Sequence, residues 1–478
     1  MITFLTSLFL LIGGYFLYGR YIERIFGPEP TRVTPAVSHP DGVDYVPLST
    51  RKIFLIQFLN IAGLGPIFGA IMGAMYGPIV FLWIVFGTLF AGAVHDYLSA
   101  MISLRNDGKS LPDLIAAQLG TTAGIVIRFI TIALMVLVGA VFLSGPANLL
   151  TSITGGVVAT EWWIGIIFAY YILATLFPVD KIIGRIYPVF GFALLFMALG
   201  ILCAIFWYGA QIPELHANWG NSNPDPERYP VFPMLFITVA CGAISGFHAT
   251  QSPLMARCIR TEQDGRRVFF GAMVAEGVVA TIWAAAGMSF FGGLEPFHSF
   301  MEANNHSAAL VVSRISSEWL GAAGGFLALL GVVAAPITSA DTAFRSARLI
   351  IADFLKTEQH SFRKRIFISA PLFIGCFILL NINFDIIWRY FAWCNQSLAV
   401  FTLWSVTVYL SRKGRNYLVT LFPALFMTAV CVSYILIAPE GFSLEREMAY
   451  AGGLALSFLL AGWFLRWKRQ LPASLPGE

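Results

Sequence analysis

Ionisable side chains lie inside apolar stretches of this sequence, where an unpaired charge is costly. Glu276 stands about eight residues into the apolar run 268–292, and Asp96 and His248 stand in two other apolar segments. A carboxylate and an imidazole that meet in such surroundings can exchange a proton. Alternatively, Glu276 accepts a structural hydrogen bond from an amide that a broken helix leaves free. We therefore treat Glu276, His248 and Asp96 as candidates for proton coupling and keep both interpretations of Glu276 open.

Three oxygen-bearing residues share one face of another apolar helix. Ala335, Thr338 and Ser339 are spaced i, i+3 and i+4, so one carbonyl and two hydroxyls point the same way. With carbonyls from residues 60–66, these oxygens would suit a hard cation such as Na⁺. The alternative is that both hydroxyls bond back to the preceding helical turn. Further along the helix, Asp341 and Arg345 are interpreted as an i,i+4 ion pair on its surface.

Two segments interrupt apolar helices with glycine, proline and polar residues. They read NIAGLGPIFG at 60–69 and GAISGFHATQSP at 242–253. Backbone amides at the N-terminus of a half-helix favour an anion. We expect the amides of 63–66 and 248–252 to hold a carboxylate. The predicted substrate-binding residues are Asn60, Gly63, Gly65, Ser245, Gly246, His248, Thr250, Gln251 and Asn395.

A charged pair stands near one end of the run 384–410. Arg389 follows Asp385 by one helical turn. Arg389 would draw anions inward or form an outer gate with Asp385. A plain i,i+4 salt bridge is the alternative.

A membrane must position these residues. The 478-residue chain is 58% hydrophobic and 12% charged, with a mean hydropathy of +0.75, whereas soluble domains carry about 25% charged residues. We predict an all-α integral membrane protein with about 13 transmembrane helices. The apolar runs assigned to them are 2–18, 53–76, 78–103, 123–143, 161–177, 186–208, 232–250, 268–292, 322–344, 366–380, 384–410, 416–438 and 447–465. The six cysteines are interpreted as buried packing thiols.

Basic residues alternate between the two sides of these runs. If the first helix starts outside, 25 of the 30 Lys and Arg fall in cytoplasmic segments or at their borders. The other five are Arg128, Arg228, Arg314, Arg389 and Arg446. Because basic loops stay in the cytoplasm, we predict an outside N-terminus and a cytoplasmic C-terminus. The same distribution explains the formal charge of +4 without a nucleic-acid partner.

The runs also divide into two halves of five helices, each opening with an interrupted helix. Five helices per half give the halves opposite orientations, as in secondary transporters built from inverted repeats. The predicted division is an extra N-terminal helix and cytoplasmic loop at 1–52, a first repeat at 53–208, an outer loop at 209–231, a second repeat at 232–410, and two C-terminal helices with a short tail at 411–478.

Four further stretches carry a family resemblance: AGAVHDYLSAMISLRNDGKSL at 91–111, SGFHATQSPLMARCIR at 245–260, PITSADTAFRSARLIIADF at 336–354 and WRYFAWCNQSLA at 388–399. Together they resemble the carbon starvation protein A (CstA) family of bacterial inner-membrane transporters. The resemblance implies a fold similar to LeuT and the amino acid–polyamine–organocation (APC) transporters. It also implies uptake of pyruvate or peptides under nutrient limitation and, as in some relatives, a small accessory protein. The spacing of Ala335, Thr338 and Ser339 is similar to the sodium site of sodium-coupled symporters with this fold.

We expect a symporter, coupled to Na⁺ or H⁺ and without another cofactor, that imports a small organic nutrient by alternating access during carbon starvation. Pyruvate is favoured because the polar groups near the breaks are few, neutral and short, although Glu276 could receive a peptide's ammonium. The alternatives are a di- or tripeptide importer and a membrane sensor that signals through a partner. The sequence has no GxxxxGK[ST], HExxH or TVGYG motif, which argues against ATP-driven transport, a zinc protease and a potassium channel. We expect no enzymatic activity, and the oligomeric state is left open.

Overall fold

Helices make up the regular structure of the protein. The computed structural model describes residues 1–154, 156–176, 183–304, 306–358, 361–382 and 384–471, and these contain no β-strand. The all-α prediction is therefore confirmed for the described residues. The longer helices are Ile2–Phe26, Thr50–Ile61, Ala93–Arg105, Thr121–Ile153, Thr160–Leu176, Ile183–Trp207, Gly246–Ala256, Gly271–Phe290, Leu294–Ala303, Ala308–Ala328, Ala334–Phe354, Phe362–Leu379, Phe384–Arg412, Leu418–Ile437 and Arg446–Arg469. Shorter helical segments are Pro35–Ser38, Gly65–Gly69, Ala70–Ala74, Gly77–Ile79, Val80–Phe86, Gly87–Gly92, Leu111–Leu119, Val231–Leu235, Phe236–Thr238, Glu262–Asp264, Arg266–Phe270 and Leu329–Val333.

Several helices are long and apolar enough to cross a membrane. By length and composition, the described residues contain seven such helices, or eight if a bent pair counts as one. Burial separates the central helices from the peripheral ones: 83% of the apolar window in Glu262–Phe290 is buried, against 22% in Ile2–Phe26 and in Arg446–Arg469. The two peripheral helices therefore turn most of their apolar surface outward, as a helix in contact with lipid does. The protein is a membrane protein.

Two broken helices pack against each other inside the bundle. The first broken helix consists of Thr50–Ile61 and Gly65–Ala74, bent by 55°. The second runs over 231–238, is non-helical over 239–245 and resumes at Gly246. Glycine allows the contact, because a Cβ on Gly65 would lie 1.9 Å from the Cβ of Cys241. The first break, at 62–64, falls inside the predicted interval 60–66.

The second break is shorter than predicted and lies nearer the N-terminus. Gly242, inside the break, adopts φ +91°, a left-handed conformation that is incompatible with a continuous helix. Pro253, which we expected to break the helix, lies inside Gly246–Ala256. The amides of 248–252 therefore do not form the free helix end predicted to hold an anion. Ser245 is the N-cap, so the first-turn amides are those of 246–248.

The chain between 293 and 328 is also more helical than predicted. Leu294–Ala303 and Ala308–Ala328 occupy most of the expected outer loop, and Gly321 interrupts the latter with φ +61°. The predicted run 322–344 is consequently divided between this helix and Ala334–Phe354. The boundary was wrong because burial of scattered apolar residues, such as Phe297 and Met301, stabilises an otherwise polar helix.

Loops predicted to lie on the same side of the membrane contact each other. At one end, both Nε and Nη2 of Arg105 donate to the carboxylate of Glu262 at 2.9 Å. At the other end, the Ser222 amide donates to the Tyr76 carbonyl at 3.2 Å. Each hydrogen bond joins segments that are predicted from the sequence to lie on one side of the membrane, and the orientation of the termini stays a prediction.

Candidate functional site

A chain of buried ionisable side chains joins three helices. The Nδ1 atoms of His95 and His248 lie 2.7 and 2.9 Å from the two carboxylate oxygens of Asp96. On its other side, Nε2 of His248 lies 3.6 Å from Oε2 of Glu276. All four side chains have no solvent exposure. Because Asp96 occupies Nδ1, the second nitrogen of His248 faces Glu276, and this arrangement can relay a proton.

Glu276 also supports the second helix break. Its Oε1 accepts a hydrogen bond from the Gly242 amide at 3.0 Å, while the Gly242 carbonyl accepts one from Thr88 Oγ1 at 2.8 Å. The helix of Glu276 approaches closely because Gly277 lies against Thr88, where a Cβ would be 2.6 Å from Oγ1. Both interpretations of Glu276 thus have a counterpart in the geometry: one oxygen holds the break and the other faces His248.

Asn395 meets the start of the second half-helix. Its Oδ1 accepts hydrogen bonds from Ser245 Oγ at 3.0 Å and from the Phe247 amide at 2.7 Å. Gly246 permits this approach, since a Cβ there would lie 2.3 Å from the Asn395 carbonyl oxygen. The sequence-predicted residues Ser245, Gly246 and Asn395 are therefore brought together. In this conformation Asn395 Oδ1 accepts the hydrogen bond of the Phe247 amide, which could otherwise bind a carboxylate.

The first break contributes a buried carboxamide. Asn60 has no solvent exposure, and neither Oδ1 nor Nδ2 has a hydrogen-bond partner among the described residues. Gly63 lies beside Ser339, where a Cβ would be 3.1 Å from Oγ, and Gly65 lies against Cys241. Buried polar groups usually have partners, so Asn60 is suited to meet a ligand.

The three oxygens predicted to bind a cation converge as expected from their spacing. Thr338 Oγ1 donates to the Ala335 carbonyl at 2.7 Å, and Ser339 Oγ lies 3.0 Å from the same carbonyl. Ser339 Oγ also lies 3.1 Å from the Leu59 carbonyl of the first broken helix. Both hydroxyls thus bond back to the preceding turn, as the alternative interpretation expects, and the Leu59 carbonyl adds a fourth oxygen. Cation binding at these oxygens stays a prediction.

The side chains of Thr250 and Gln251, also predicted to bind substrate, form hydrogen bonds with each other and with their own helix. Thr250 Oγ1 donates to the Phe247 carbonyl at 2.6 Å and accepts from Gln251 Nε2 at 2.9 Å. Thr250 also lines a cavity of about 10 Å³ with Pro253 and Arg257. Both side chains also contact the sulfur atom of Met135 on a neighbouring helix, at 3.5 and 3.9 Å. Among the described hydrogen bonds, neither side chain reaches the Asp96 chain.

The predicted gate is described only in part. Nη1 of Arg389 lies 3.9 Å from the carboxylate of Glu440, and the Arg389 side chain is 43% exposed. The side chain of Asp385 lies outside the described residues, so its pairing with Arg389 stays a prediction.

The predicted surface pair of Asp341 and Arg345 is wrong in its location. Both side chains have no solvent exposure. Tyr187 donates to Asp341, and Arg345 donates to the Ala174 carbonyl at 2.8 Å and approaches Asp44 at 3.7 Å. Polar spacing suggested an exposed helix face, but the neighbouring helices and the loop of Asp44 cover it.

Sequence reasoning missed two residues at the second break. Thr88 gives no signal in the sequence, since a threonine in an apolar run is ordinary. Cys241 was assigned to packing, yet its Sγ lies within 4.8 Å of ligand atoms of His248 and Glu276. Its position directly before Gly242, inside an interrupted helix, was the available signal.

Comparison with known proteins identifies the family. A family model described as "Carbon starvation protein CstA" matches residues 1–201 and 157–323. The chain belongs to the CstA family. This CstA-family chain is 44% identical to an uncharacterized membrane protein of Haemophilus influenzae, over 61% of this chain and 91% of that protein.

Two Escherichia coli members have names that describe transport. The CstA-family chain is 28% identical to "Peptide transporter CstA", over 56% of this chain and 47% of that one. It is 29% identical to "Pyruvate/proton symporter BtsT", over 59% of this chain and 48% of that one. Each alignment therefore spans about half the length of these named relatives. The similarity supports a transporter and leaves the substrate unresolved.

A solved structure shares the fold. A crystal structure of the Eremococcus coleocola manganese transporter, in complex with an aromatic bis-isothiourea substituted compound, matches with a TM-score of 0.55. The match covers 91% of this CstA-family chain and 100% of the other, at 12% identity. At this identity the likeness concerns the fold alone.

Proposed function

We propose that the protein imports a small organic anion, pyruvate in the first place, together with a proton by alternating access. The observation that carries this proposal is the buried chain of Asp96, His248 and Glu276, which ends on the backbone of the second helix break. A relative named as a pyruvate/proton symporter supports the choice of ion and substrate. Such intramembrane acid–base pairs mark proton pathways in transporters.

Protonation would alter the second break through Glu276. An ionised carboxylate is the stronger acceptor for the Gly242 amide, so a proton on Glu276 weakens this hydrogen bond. Residues 239–245 then become freer to move against the first broken helix. In this way the proton would change the conformational equilibrium on which alternating access depends.

The substrate carboxylate would bind where Asn395 now caps the second half-helix. The Phe247 amide and Ser245 hydroxyl point at Asn395 Oδ1, and an anion at a helix N-terminus could replace that oxygen. Asn60 would then supply a neutral hydrogen-bond donor from the first break. A three-carbon acid needs only these short groups. A di- or tripeptide remains the alternative, since several relatives are named peptide transporters and Glu276 could receive an ammonium.

For the membrane arrangement we propose thirteen spans with an outside N-terminus, a cytoplasmic C-terminus and a LeuT-like inverted repeat. The two broken helices and the pairing of loops support this arrangement. The bacterial inner membrane is the proposed location, and a small accessory protein is a proposed partner.

Sodium coupling is the second candidate, through Ala335, Thr338 and Ser339. The observation in its favour is the Leu59 carbonyl beside Ser339 Oγ, because it adds a fourth oxygen from the first break. Sodium sites in transporters use backbone carbonyls at helix breaks, and Leu59 lies in the last turn before the first break.

Uptake into proteoliposomes tests these proposals. Labelled pyruvate and a labelled dipeptide are offered separately under an inward proton gradient alone and an inward sodium gradient alone. Proton-driven accumulation of pyruvate is expected. Sodium-driven uptake that Thr338→Val abolishes would move the coupling to the second candidate. If neither substrate accumulates under either gradient, the importer proposal fails for these substrates.

A further inference from the structure

Cys241, His248 and Glu276 bring a sulfur, a nitrogen and an oxygen atom to one point beside the helix breaks. These ligand atoms all lie within 4.8 Å of one another, and all three residues are buried. Packing alone does not call for a thiol, an imidazole and a carboxylate together. We propose that the three residues bind one divalent transition-metal ion, such as Zn²⁺.

Hydrogen bonds already orient two of the ligands. His248 holds Nδ1 2.9 Å from Asp96, which leaves Nε2 toward the cluster, and Glu276 uses Oε1 for the Gly242 amide. Neither His248 Nε2 nor Glu276 Oε2 has a hydrogen-bond partner among the described residues. Histidines that bind metals usually give their other nitrogen to a carboxylate, as His248 does. The atoms left over are the two that a metal ion would take.

The spacing suits a small ion after a modest adjustment. Zinc lies about 2.0–2.3 Å from nitrogen, oxygen and sulfur ligands, so tetrahedral ligands are about 3.3–3.8 Å apart. His248 Nε2 and Glu276 Oε2 already stand at 3.6 Å. Cys241 Sγ has only a long contact to give up, with Ser245 Oγ at 3.6 Å. Three protein ligands leave a fourth position open for water or another oxygen.

Charge and ligand type select the ion. A divalent ion with one thiolate, one carboxylate and a neutral imidazole forms a complex without net charge, which suits full burial. Thiolate and imidazole favour Zn²⁺, Co²⁺ or Cu²⁺ over Mg²⁺ and Ca²⁺. Metal ligands must be deprotonated, so the ion would compete with the proton on Glu276 and His248. Metal binding would therefore inhibit proton-coupled uptake, and this consequence rests on the proposed function.

Cobalt binding to the purified full-length chain tests the site. Chelator-treated protein in detergent is equilibrated with Co²⁺ at neutral pH, and thiolate-to-cobalt absorption and bound metal per chain are measured. One cobalt per chain with thiolate absorption is expected. Cys241→Ser should lose this absorption, and Glu276→Gln should weaken binding at least tenfold. Cys258→Ser is the matched control, because this buried thiol lies elsewhere, 3.7 Å from the Asp44 carbonyl, and should bind cobalt as wild type does.

A second measurement needs no variant and so does not depend on variants folding. Zn²⁺ should slow alkylation of Cys241 at least tenfold without changing that of Cys258, as followed by peptide mass spectrometry. Absence of cobalt binding, thiolate absorption that persists in Cys241→Ser, or alkylation of Cys241 insensitive to Zn²⁺ would overturn the site. Proton-driven uptake without metal binding would reject the site and leave the transport proposal standing. Metal binding without any uptake would support the metal site and reject the transport proposal for the substrates tested.

Discussion

The two broken helices pack closely where Gly65 meets Cys241, and substitutions at these two positions test this contact. A Cβ added at Gly65 would lie 1.9 Å from Cys241 Cβ and 2.5 Å from Sγ. Carbon atoms normally approach to about 3.5–4.0 Å, so Gly65→Ala would push the breaks apart by roughly 2 Å. Overpacking of this kind costs about 1–3 kcal/mol and occasionally more. The two clashing Cβ atoms are attached directly to the backbone and cannot rotate away. We therefore expect Gly65→Ala to lower the free energy of unfolding by about 3 kcal/mol.

The double variant supplies the decisive comparison. Cys241→Gly removes both clashing atoms, after which the nearest remaining neighbour is its Cα at 3.3 Å. In Gly65→Ala/Cys241→Gly we expect about 2 kcal/mol of the loss to return, as a coupling energy in a double-mutant cycle. Unfolding in mixed detergent–denaturant micelles, followed by tryptophan fluorescence, measures each variant.

Gly13→Ala is the control for this cycle, because a Cβ at Gly13 meets nothing within 4 Å. It should leave stability unchanged or slightly raised. A Gly65→Ala variant as stable as Gly13→Ala would refute the close crossing. So would a coupling energy below about 0.5 kcal/mol, the usual limit of additivity for independent sites.

Three further perturbations follow from the same contacts. Asn395→Ala should destabilise the protein by about 2–4 kcal/mol in the same unfolding assay, because two buried donors lose their acceptor. A loss below about 0.5 kcal/mol would contradict the hydrogen bonds of Asn395 to Ser245 and Phe247. Glu262→Gln should cost about 2–4 kcal/mol, since Arg105 loses a buried charged partner, whereas Glu318→Gln, on an exposed pair, should cost under 1 kcal/mol. Burial raises the pKa of the Cys258 thiol to about 12, so its alkylation at about pH 9 should be roughly 10²–10³-fold slower than in unfolded protein. Equal alkylation rates in the folded and unfolded protein would contradict its burial. The stability linked to this thiol is lost as the pH rises from about 9 toward 12.

Much of the fold could be predicted because a helix that crosses a membrane requires a long apolar run, which is visible in the sequence. A run such as 268–292 must be apolar to lie in a membrane. The break at 62–64 contains Gly63 and is followed directly by Gly65 and Pro66. Element boundaries depend on tertiary contacts and were less predictable. Pro253 lies inside its helix, whereas the preceding helical segment ends at Thr238 and the Gly242 amide bonds to Glu276 instead of to a helical partner.

The candidate site was predictable in its residue types and less so in its connections. His248 and Glu276 stood out because ionisable groups in apolar runs need partners. The contact between these two residues, and that of His248 with Asp96, depends on which helices pack together. Spacing along one helix carries no information about that. Cys241 and Thr88 have small side chains that are common in apolar runs, so the sequence does not single them out. Their contacts with other helices suggest their roles.

The proposed coupling through Glu276 is tested most directly by proton movement that accompanies pyruvate. Proteoliposomes that contain a pH-sensitive dye receive external pyruvate without an imposed proton gradient, and internal pH and labelled pyruvate are followed together. Wild type should acidify the lumen as pyruvate enters. Glu276→Gln, which keeps an oxygen for the Gly242 amide, should carry pyruvate down its gradient without acidification. Proton uptake at the wild-type ratio to pyruvate in Glu276→Gln would contradict the role of this carboxylate.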